Sequence, residues 1–86
     1  MSMTSVNVRY YAAAKAASGV SEEQVQYAGP LTSGDVVDLV AAKHGPAMVD
    51  VLMRSSYLLN ELVVRGPAIE VPDGATFDVL PPFAGG

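Results

Sequence analysis

Cysteine is absent from this 86-residue chain, and tryptophan is absent as well. Without thiols the chain has no disulfide framework, no thiolate zinc site, no iron–sulfur cluster and no cysteine nucleophile. The single histidine, His44, cannot supply a histidine-rich metal site. We expect it at the C-terminal end of a helix, where it meets the negative end of the helix dipole. Neither a metal site nor a bound cofactor is predicted.

Charged residues are scarce, at 16%, and no basic cluster is present. The net charge of −4 argues against a nucleic-acid partner, because backbone binding needs Lys and Arg side chains that face phosphates. Acidic residues are scattered rather than paired for acid–base catalysis, and no glycine-rich phosphate loop occurs. A self-contained active site is therefore not expected.

Long apolar runs are also missing. No stretch of about 18 apolar residues is present, so neither a membrane span nor a membrane partner is predicted. The first residues lack the basic start and apolar stretch of a signal peptide, so a cytoplasmic location is expected. With 50% hydrophobic residues the chain is too apolar to be disordered, and its length suits one domain.

What the chain does have is an unusual ending, Gly85-Gly86. Two residues without a Cβ present the terminal carboxylate on an unhindered stalk, which fits a narrow slot in a partner enzyme. Pro81 and Pro82 stiffen the approach to it. A frayed terminus is the alternative interpretation. We predict a folded domain over residues 1–80, followed by an extended tail over residues 81–86.

Periodicity predicts a strand, a short helix and a second strand in the first third of the chain. Apolar and polar residues alternate over residues 6–11, which favours a strand with one apolar face. Residues 12–18 have helical propensity, and Gly19 ends that segment. Residues 23–27 alternate again and are expected to pair with the first strand as a hairpin.

Two helices are predicted next. Thr32 or Ser33 caps the first helix, which stops at Gly45-Pro46, and Pro46 suits the start of a second, shorter helix. The side chains expected to face the core are Val36, Val37, Leu39 and Val40 from the first helix and Met48, Val49, Leu52 and Met53 from the second.

Strand patterns return in the last third of the chain. Residues 57–59 and 62–65 flank a tight Asn60-Glu61 turn, residues 69–71 form a short extended piece, and residues 76–80 form the last strand. This order of elements indicates an α+β domain with helices packed on one face of a sheet.

The other face of that sheet is predicted to carry apolar residues. If Val8, Val64, Phe77 and Val79 point inward, alternation turns neighbouring side chains outward. A contiguous apolar group near a protruding tail indicates a docking surface, whereas scattered solvent contacts are the alternative. The residues predicted to bind a partner are Tyr11, Val63, Leu80, Pro81, Pro82 and Phe83.

Two stretches of the chain resemble a known family. The ending Leu80-Pro81-Pro82-Phe83-Ala84-Gly85-Gly86 resembles the Leu/Phe-Pro-Pro-Val-x-Gly-Gly ending of the small subunits of molybdopterin synthase, which are β-grasp, ubiquitin-like proteins. Val8-Arg9-Tyr10-Tyr11-Ala12-Ala13-Ala14-Lys15 is similar to their aromatic-aromatic-Ala-x-x-Arg stretch after the first strand. Asn60 and Asp73-Gly74 fit two turns of the family. Lys15, Ala16 and Ala75-Thr76 depart from its pattern.

The resemblance implies a β-grasp fold with a mixed sheet and a role as a sulfur carrier. It implies that a ubiquitin-activating-like adenylyltransferase uses ATP to adenylate Gly86, and that sulfur from a donor protein replaces AMP. The resulting thiocarboxylate donates sulfur to a cyclic pterin monophosphate precursor held by the large subunit of molybdopterin synthase, in a heterotetramer. The reactive position is then Gly86 with Gly85 beside it, and the catalytic side chains belong to the partners. Family contacts with the large subunit fall at Tyr11, Val63 and Leu80.

Other functions share these features. Sulfur carriers for thiamine synthesis, cysteine synthesis and tRNA thiolation have the same fold and ending, although Pro81-Pro82 favours the molybdopterin branch. A protein modifier also needs Gly86, but forms isopeptide bonds. A non-catalytic ubiquitin-like interaction module uses the outward sheet face and not the tail.

Overall fold

A computed structural model of the chain describes residues 2–82. In this span, strands and helices follow one another in an order that begins and ends with a strand. The elements are β1 (Met3–Tyr10), α1 (Ala13–Ser18), β2 (Glu22–Ala28), α2 (Ser33–His44), α3 (Pro46–Leu52), β3 (Ser56–Leu59), β4 (Leu62–Val63) and β5 (Ala75–Leu80).

The strands form one mixed sheet with the order β2-β1-β5-β3-β4. β1 and β5 lie parallel at the centre, and the other neighbouring strands are antiparallel. The predicted hairpin of β1 and β2 is present, with Val6 opposite Val25. A parallel pair requires a crossover connection, and the segment containing α2 and α3 lies within it. The predicted α+β fold with a mixed sheet is therefore confirmed, and its strand order is that of a β-grasp domain.

The core lies between the sheet and the helices. The two central strands send Val6, Val8, Phe77 and Val79 into it, and each of these residues is at most 1% exposed. Burying one such side chain stabilises the fold by about 1.5–3 kcal/mol. The helices add Ala14, Val36, Val40, Met48 and Leu52.

Thr32 is the residue that caps α2. Its Oγ1 accepts a hydrogen bond from Asp35 N at 3.2 Å, and Asp35 Oδ2 accepts one from Thr32 N at 3.0 Å. This reciprocal capping box stabilises the helix by about 1 kcal/mol. Ser33, the alternative cap, is buried instead and donates to the Gly66 carbonyl at 2.6 Å. It therefore anchors the loop that follows β4.

The predicted core side of α3 is wrong for two of its four residues. Met48 and Leu52 are buried, but Val49 is 40% exposed and Met53 is 82% exposed. Residues four apart share a helix face, so Met48 and Leu52 point the same way while Val49 is rotated by about 100°. Met53 lies beyond the last helical residue.

The buried stripe of α2 is narrower than predicted. Val36 and Val40 are buried, whereas Val37 and Leu39 are only partly buried at the edge of the core. The first pair lies four residues apart and faces the sheet directly, and the other two flank it.

β4 covers Leu62–Val63 rather than residues 62–65. The turn before it has the predicted form, because Asn60 and Glu61 have φ of 48° and 69°, as a two-residue type I′ hairpin loop requires. Val64 N still donates to the Tyr57 carbonyl at 3.0 Å. Beyond Val64 the chain bends towards α2, whose N-terminal turn binds the carbonyl groups of residues 66 and 67. This anchoring draws the chain away from the sheet.

Candidate functional site

The face of the sheet opposite the helices carries residues predicted to bind a partner. The strand register aligns Arg9 with Asp78, Asp78 with Leu58, and Leu58 with Val63. Directly paired residues point to the same side of a sheet. Leu80 lies two residues beyond Asp78 on β5 and therefore shares that side. The outer face thus has a charged centre and an apolar flank.

We call the apolar residues of this outer face the docking face: Tyr11, Leu58, Val63 and Leu80. Tyr11 is 41% exposed and Val63 is 60% exposed, which confirms their predicted outward orientation. Leu58 and Leu80 are partly buried. Sequence analysis missed Leu58 because residues 57–59 are all apolar, so no alternation marks the outward position.

The docking face lies where the C-terminal segment leaves the sheet. β5 ends at Leu80, which is followed by a partly buried Pro81 and an exposed Pro82. Because β1 and β5 are parallel, Tyr11 after the end of β1 is level with Leu80. Partner binding at these positions and the division at residue 80 stay predictions. The remaining predicted site residues, Phe83, Gly85 and Gly86, lie outside the described residues.

An ion pair occupies the centre of the outer face. Arg9 Nε donates to Asp78 Oδ1 at 2.6 Å, and Arg9 Nη2 donates to Asp78 Oδ2 at 2.8 Å. Asp78 is 4% exposed, whereas the Arg9 side chain is 38% exposed. The hydrogen bonds to Asp78 raise the pKa of the Arg9 guanidinium further above its usual range. Sequence analysis missed this pair because its members are 69 residues apart and meet only through the pairing of β1 with β5.

A second polar cluster surrounds the Glu23 carboxylate on the helix side. Tyr10 Oη donates to Glu23 Oε2 at 2.5 Å, His44 Nε2 lies 2.5 Å from the same oxygen, and Lys43 Nζ lies 2.8 Å from Oε1. Burial raises the pKa of the Glu23 carboxyl, but hydrogen bonds from these three partners outweigh burial and lower the pKa to about 2. His44 lies at the predicted helix end, and its carboxylate partner was not predicted. The cluster ties the end of α2 to the β1–β2 hairpin.

Replacing Glu23 with glutamine is expected to lower the free energy of unfolding by about 1–3 kcal/mol at neutral pH, because charge-assisted hydrogen bonds are lost. The pKa of Glu23 falls from 4.5 to about 2 on folding. The stabilisation from this carboxylate is therefore complete above about pH 4.5 and is lost as the pH falls towards about 2. The free energies of unfolding of wild type and Glu23→Gln, measured in urea, should therefore approach each other as the pH is lowered from about 4.5 to about 2. Glu70→Gln, at an exposed position, is the control. Equal stability of wild type and Glu23→Gln at neutral pH would mean that the Glu23 carboxylate does not stabilise the fold.

Two further observations concern residues 2–82. In this span, His, Asp and Glu side chains do not come together in groups of three or more that could hold a metal ion. None of the helices in the described part of the chain is long and apolar enough to cross a membrane.

Comparison with known proteins identifies the family. Residues 8–86, nearly the whole chain, match the sequence model of the ThiS family. The chain belongs to the ThiS family. The resemblance found in the sequence, to ubiquitin-like sulfur carriers of the ThiS and MoaD type, is therefore confirmed at the level of the family.

Three solved structures are similar to this ThiS-family chain. SAMP1 from Haloferax volcanii is 22% identical with a TM-score of 0.83, over 95% of this chain and 99% of that one. The complex of subunits 1 and 2 of molybdopterin-converting factor from Helicobacter pylori contains a matching chain that is 19% identical, with a TM-score of 0.66. The match covers 96% of this chain and 100% of that one. The BexX/CysO complex from Amycolatopsis orientalis has a matching chain that is 27% identical, with a TM-score of 0.70, over 94% and 99%. These structures confirm the β-grasp fold, and the last two are complexes with a second protein. Among curated proteins, no sequence matches the chain.

Proposed function

We propose that this ThiS-family chain is the small, sulfur-carrying subunit of molybdopterin synthase. The observation that carries the proposal is the position of the docking face at the root of a segment that ends in Pro81-Pro82-Phe83-Ala84-Gly85-Gly86. A carrier must bind its partner while its terminus reaches a buried site, and a docking face beside the tail serves both needs. The Helicobacter pylori molybdopterin-converting factor complex supports this choice of partner.

The chemistry begins at the Gly86 carboxylate, which is a poor acyl donor because its oxygen leaves badly. A ubiquitin-activating-like adenylyltransferase attaches this carboxylate to AMP from ATP and releases pyrophosphate. Sulfur at the oxidation level of sulfide, supplied by a donor protein, then attacks the acyl carbon and displaces AMP, which leaves a thiocarboxylate at Gly86. The large subunit holds the pterin precursor, and the thiocarboxylate sulfur attacks it to form a thioester between Gly86 and the pterin. Water then cleaves this thioester, which leaves the sulfur on the pterin and restores the Gly86 carboxylate. Two such transfers build the dithiolene.

The chain itself contributes position rather than catalysis. With no cysteine in its sequence, it has no thiol to carry sulfur, and the terminal acyl group is the place left for it. Gly85 and Gly86 lack side chains that would obstruct a narrow slot, and the two prolines limit the conformations of the approach. In this proposal Tyr11, Val63 and Leu80 contact the large subunit while the tail is inserted.

Intact-mass measurement of the protein isolated from its native cells tests the proposal. We expect a fraction of the chain to have one oxygen replaced by sulfur, with the change located on the C-terminal peptide. That fraction should lose its sulfur when purified large subunit and pterin precursor are added. A chain that never carries sulfur, even when the activating enzyme, ATP and sulfur donor are supplied, contradicts the proposal.

SAMP1 is a small archaeal modifier protein. The similarity of this chain to it, with a TM-score of 0.83, favours protein modification as a second candidate function. A modifier also activates Gly86, but the acyl group passes to a lysine amine and forms an isopeptide bond. Cell extracts would then contain the chain linked to other proteins, and released sulfur would not appear. Carriers for thiamine, cysteine or tRNA thiolation differ instead in which acceptor removes sulfur from the purified thiocarboxylate.

A further inference from the structure

The Arg9–Asp78 pair lies within the surface that the proposed function assigns to the partner. Asp78 is directly opposite Leu58 of the docking face, and Leu80 follows two residues later on the same side of β5. Tyr11 lies just beyond Arg9 after the end of β1, so a partner that covers Tyr11, Leu58 and Leu80 also covers the Arg9 guanidinium. The charged pair becomes part of any interface on the outer face.

Arg9 keeps hydrogen-bonding capacity after it has bound Asp78. The guanidinium carries more N–H donors than the two that Asp78 occupies. Within residues 2–82 the side-chain hydrogen bonds of Arg9 go to Asp78, and the Arg9 side chain is 38% exposed, so its remaining donors are open to solvent. A partner that removes this water must supply an acceptor, because a buried donor without one is costly.

The charges around Arg9 decide which acceptor fits. Asp78 already neutralises the guanidinium, and Glu22 lies directly across the β1–β2 register from Arg9. Glu22 Oε1 accepts a hydrogen bond from Asn7 at 2.9 Å, which holds this second carboxylate on the outer face. The surroundings of Arg9 therefore carry a net negative charge. A carboxylate from the partner would be repelled, whereas a neutral carbonyl oxygen would not.

We propose that Arg9, held by Asp78, is a specificity-determining residue that selects a partner surface with apolar side chains around a neutral carbonyl oxygen. The carbonyl belongs to the backbone or to an amide side chain of the large subunit. The proposal rests on the proposed function, because it assumes that the outer face meets that subunit. A surface that matches the apolar residues but lacks the acceptor leaves Arg9 donors buried and unpaired, and is rejected.

The test compares binding of purified large subunit to wild type and to the double variant Arg9→Leu/Asp78→Leu by titration calorimetry. Replacing both members of the pair avoids an unpaired charge and is often neutral or stabilising, so the melting temperature should not fall. Affinity should fall by about tenfold or more, because a hydrogen bond from a charged donor is lost. Asp50→Leu/Arg54→Leu, which removes the exposed ion pair on and just after α3, is the matched control and should bind like the wild type.

A second variant keeps the test decisive if the double variant does not fold. Arg9→Lys retains the charge beside Asp78 but loses the planar fork, so affinity should again fall by about tenfold. A loss smaller than about threefold in a folded double variant, or in Arg9→Lys if the double variant does not fold, overturns the role of Arg9. Wild type that does not bind the large subunit overturns the proposed function, and this inference with it. Wild type and variants that bind equally overturn this inference alone.

Salt dependence separates the neutral carbonyl from a carboxylate. Added salt screens an ion pair more than a hydrogen bond to a neutral group. Wild type and double variant should therefore lose affinity equally as salt is raised. A steeper loss for the wild type would mean that the acceptor is charged, and would overturn the assignment of a carbonyl.

Discussion

Deleting Gly86 is expected to abolish sulfur transfer while leaving the β-grasp domain folded. The deletion moves the terminal carboxylate to Gly85 and shortens the reach of the tail by about 3.3 Å, more than reacting atoms tolerate in a bound complex. Adding one alanine after Gly86 should have the same effect, because the reactive group is displaced and the terminal residue gains a Cβ. Neither change touches the core, since the last strand ends at Leu80.

The measurement is formation of the dithiolene product from the pterin precursor when the chain or its variant is mixed with purified large subunit, activating enzyme, sulfur donor and ATP. Circular dichroism and thermal melting should be unchanged for both tail variants. One glycine added before Met1 is the matched control and should leave transfer intact, because β1 begins only at Met3. Product formation by either tail variant at the wild-type rate would exclude Gly86 as the site of sulfur.

Leu80→Asp is expected to weaken binding to the large subunit by about a hundredfold or more. The substitution places a charge within the apolar part of the proposed contact, and truncating an interface anchor alone costs about 2 kcal/mol or more. The affinity is measured by titration calorimetry against the purified large subunit.

The stability of the free domain should change much less, because Leu80 is only partly buried on the outer face. We expect a loss of about 1 kcal/mol or less, or a few degrees in melting temperature for a domain of this size. Ile69→Asp is the control: Ile69 is 41% exposed and follows the loop that is anchored on α2. It should leave binding unchanged. Parallel losses of stability and binding in Leu80→Asp would place Leu80 in the core, and unchanged binding would remove the docking face from the interface.

Local patterns in the sequence were sufficient for most of the secondary structure and for some of the outward side chains. Alternation with a period of two places Val6, Val8 and Phe77 inward and Tyr11 and Val63 outward, and the structure agrees. Such patterns work because each strand has one face against the core and the other in solvent. They are weaker where a segment is short or uniformly apolar, as for α3, where Val49 and Met53 were wrongly expected in the core.

By itself, the sequence determined the family of the protein and the residues proposed to react, Gly85 and Gly86. The Pro-Pro-x-x-Gly-Gly motif is recognised from its residues alone and requires no knowledge of the fold. Only the tertiary structure decided which residues from distant parts of the chain lie next to one another. The strand register brings Arg9 to Asp78 and Leu58 to Val63, and the packing of α2 brings His44 to Glu23. The Arg9–Asp78 and His44–Glu23 partners are distant in the chain, so no local periodicity encodes their contact. Their contacts follow from the parallel pairing of the first and last strands and from the packing of the helices on the sheet.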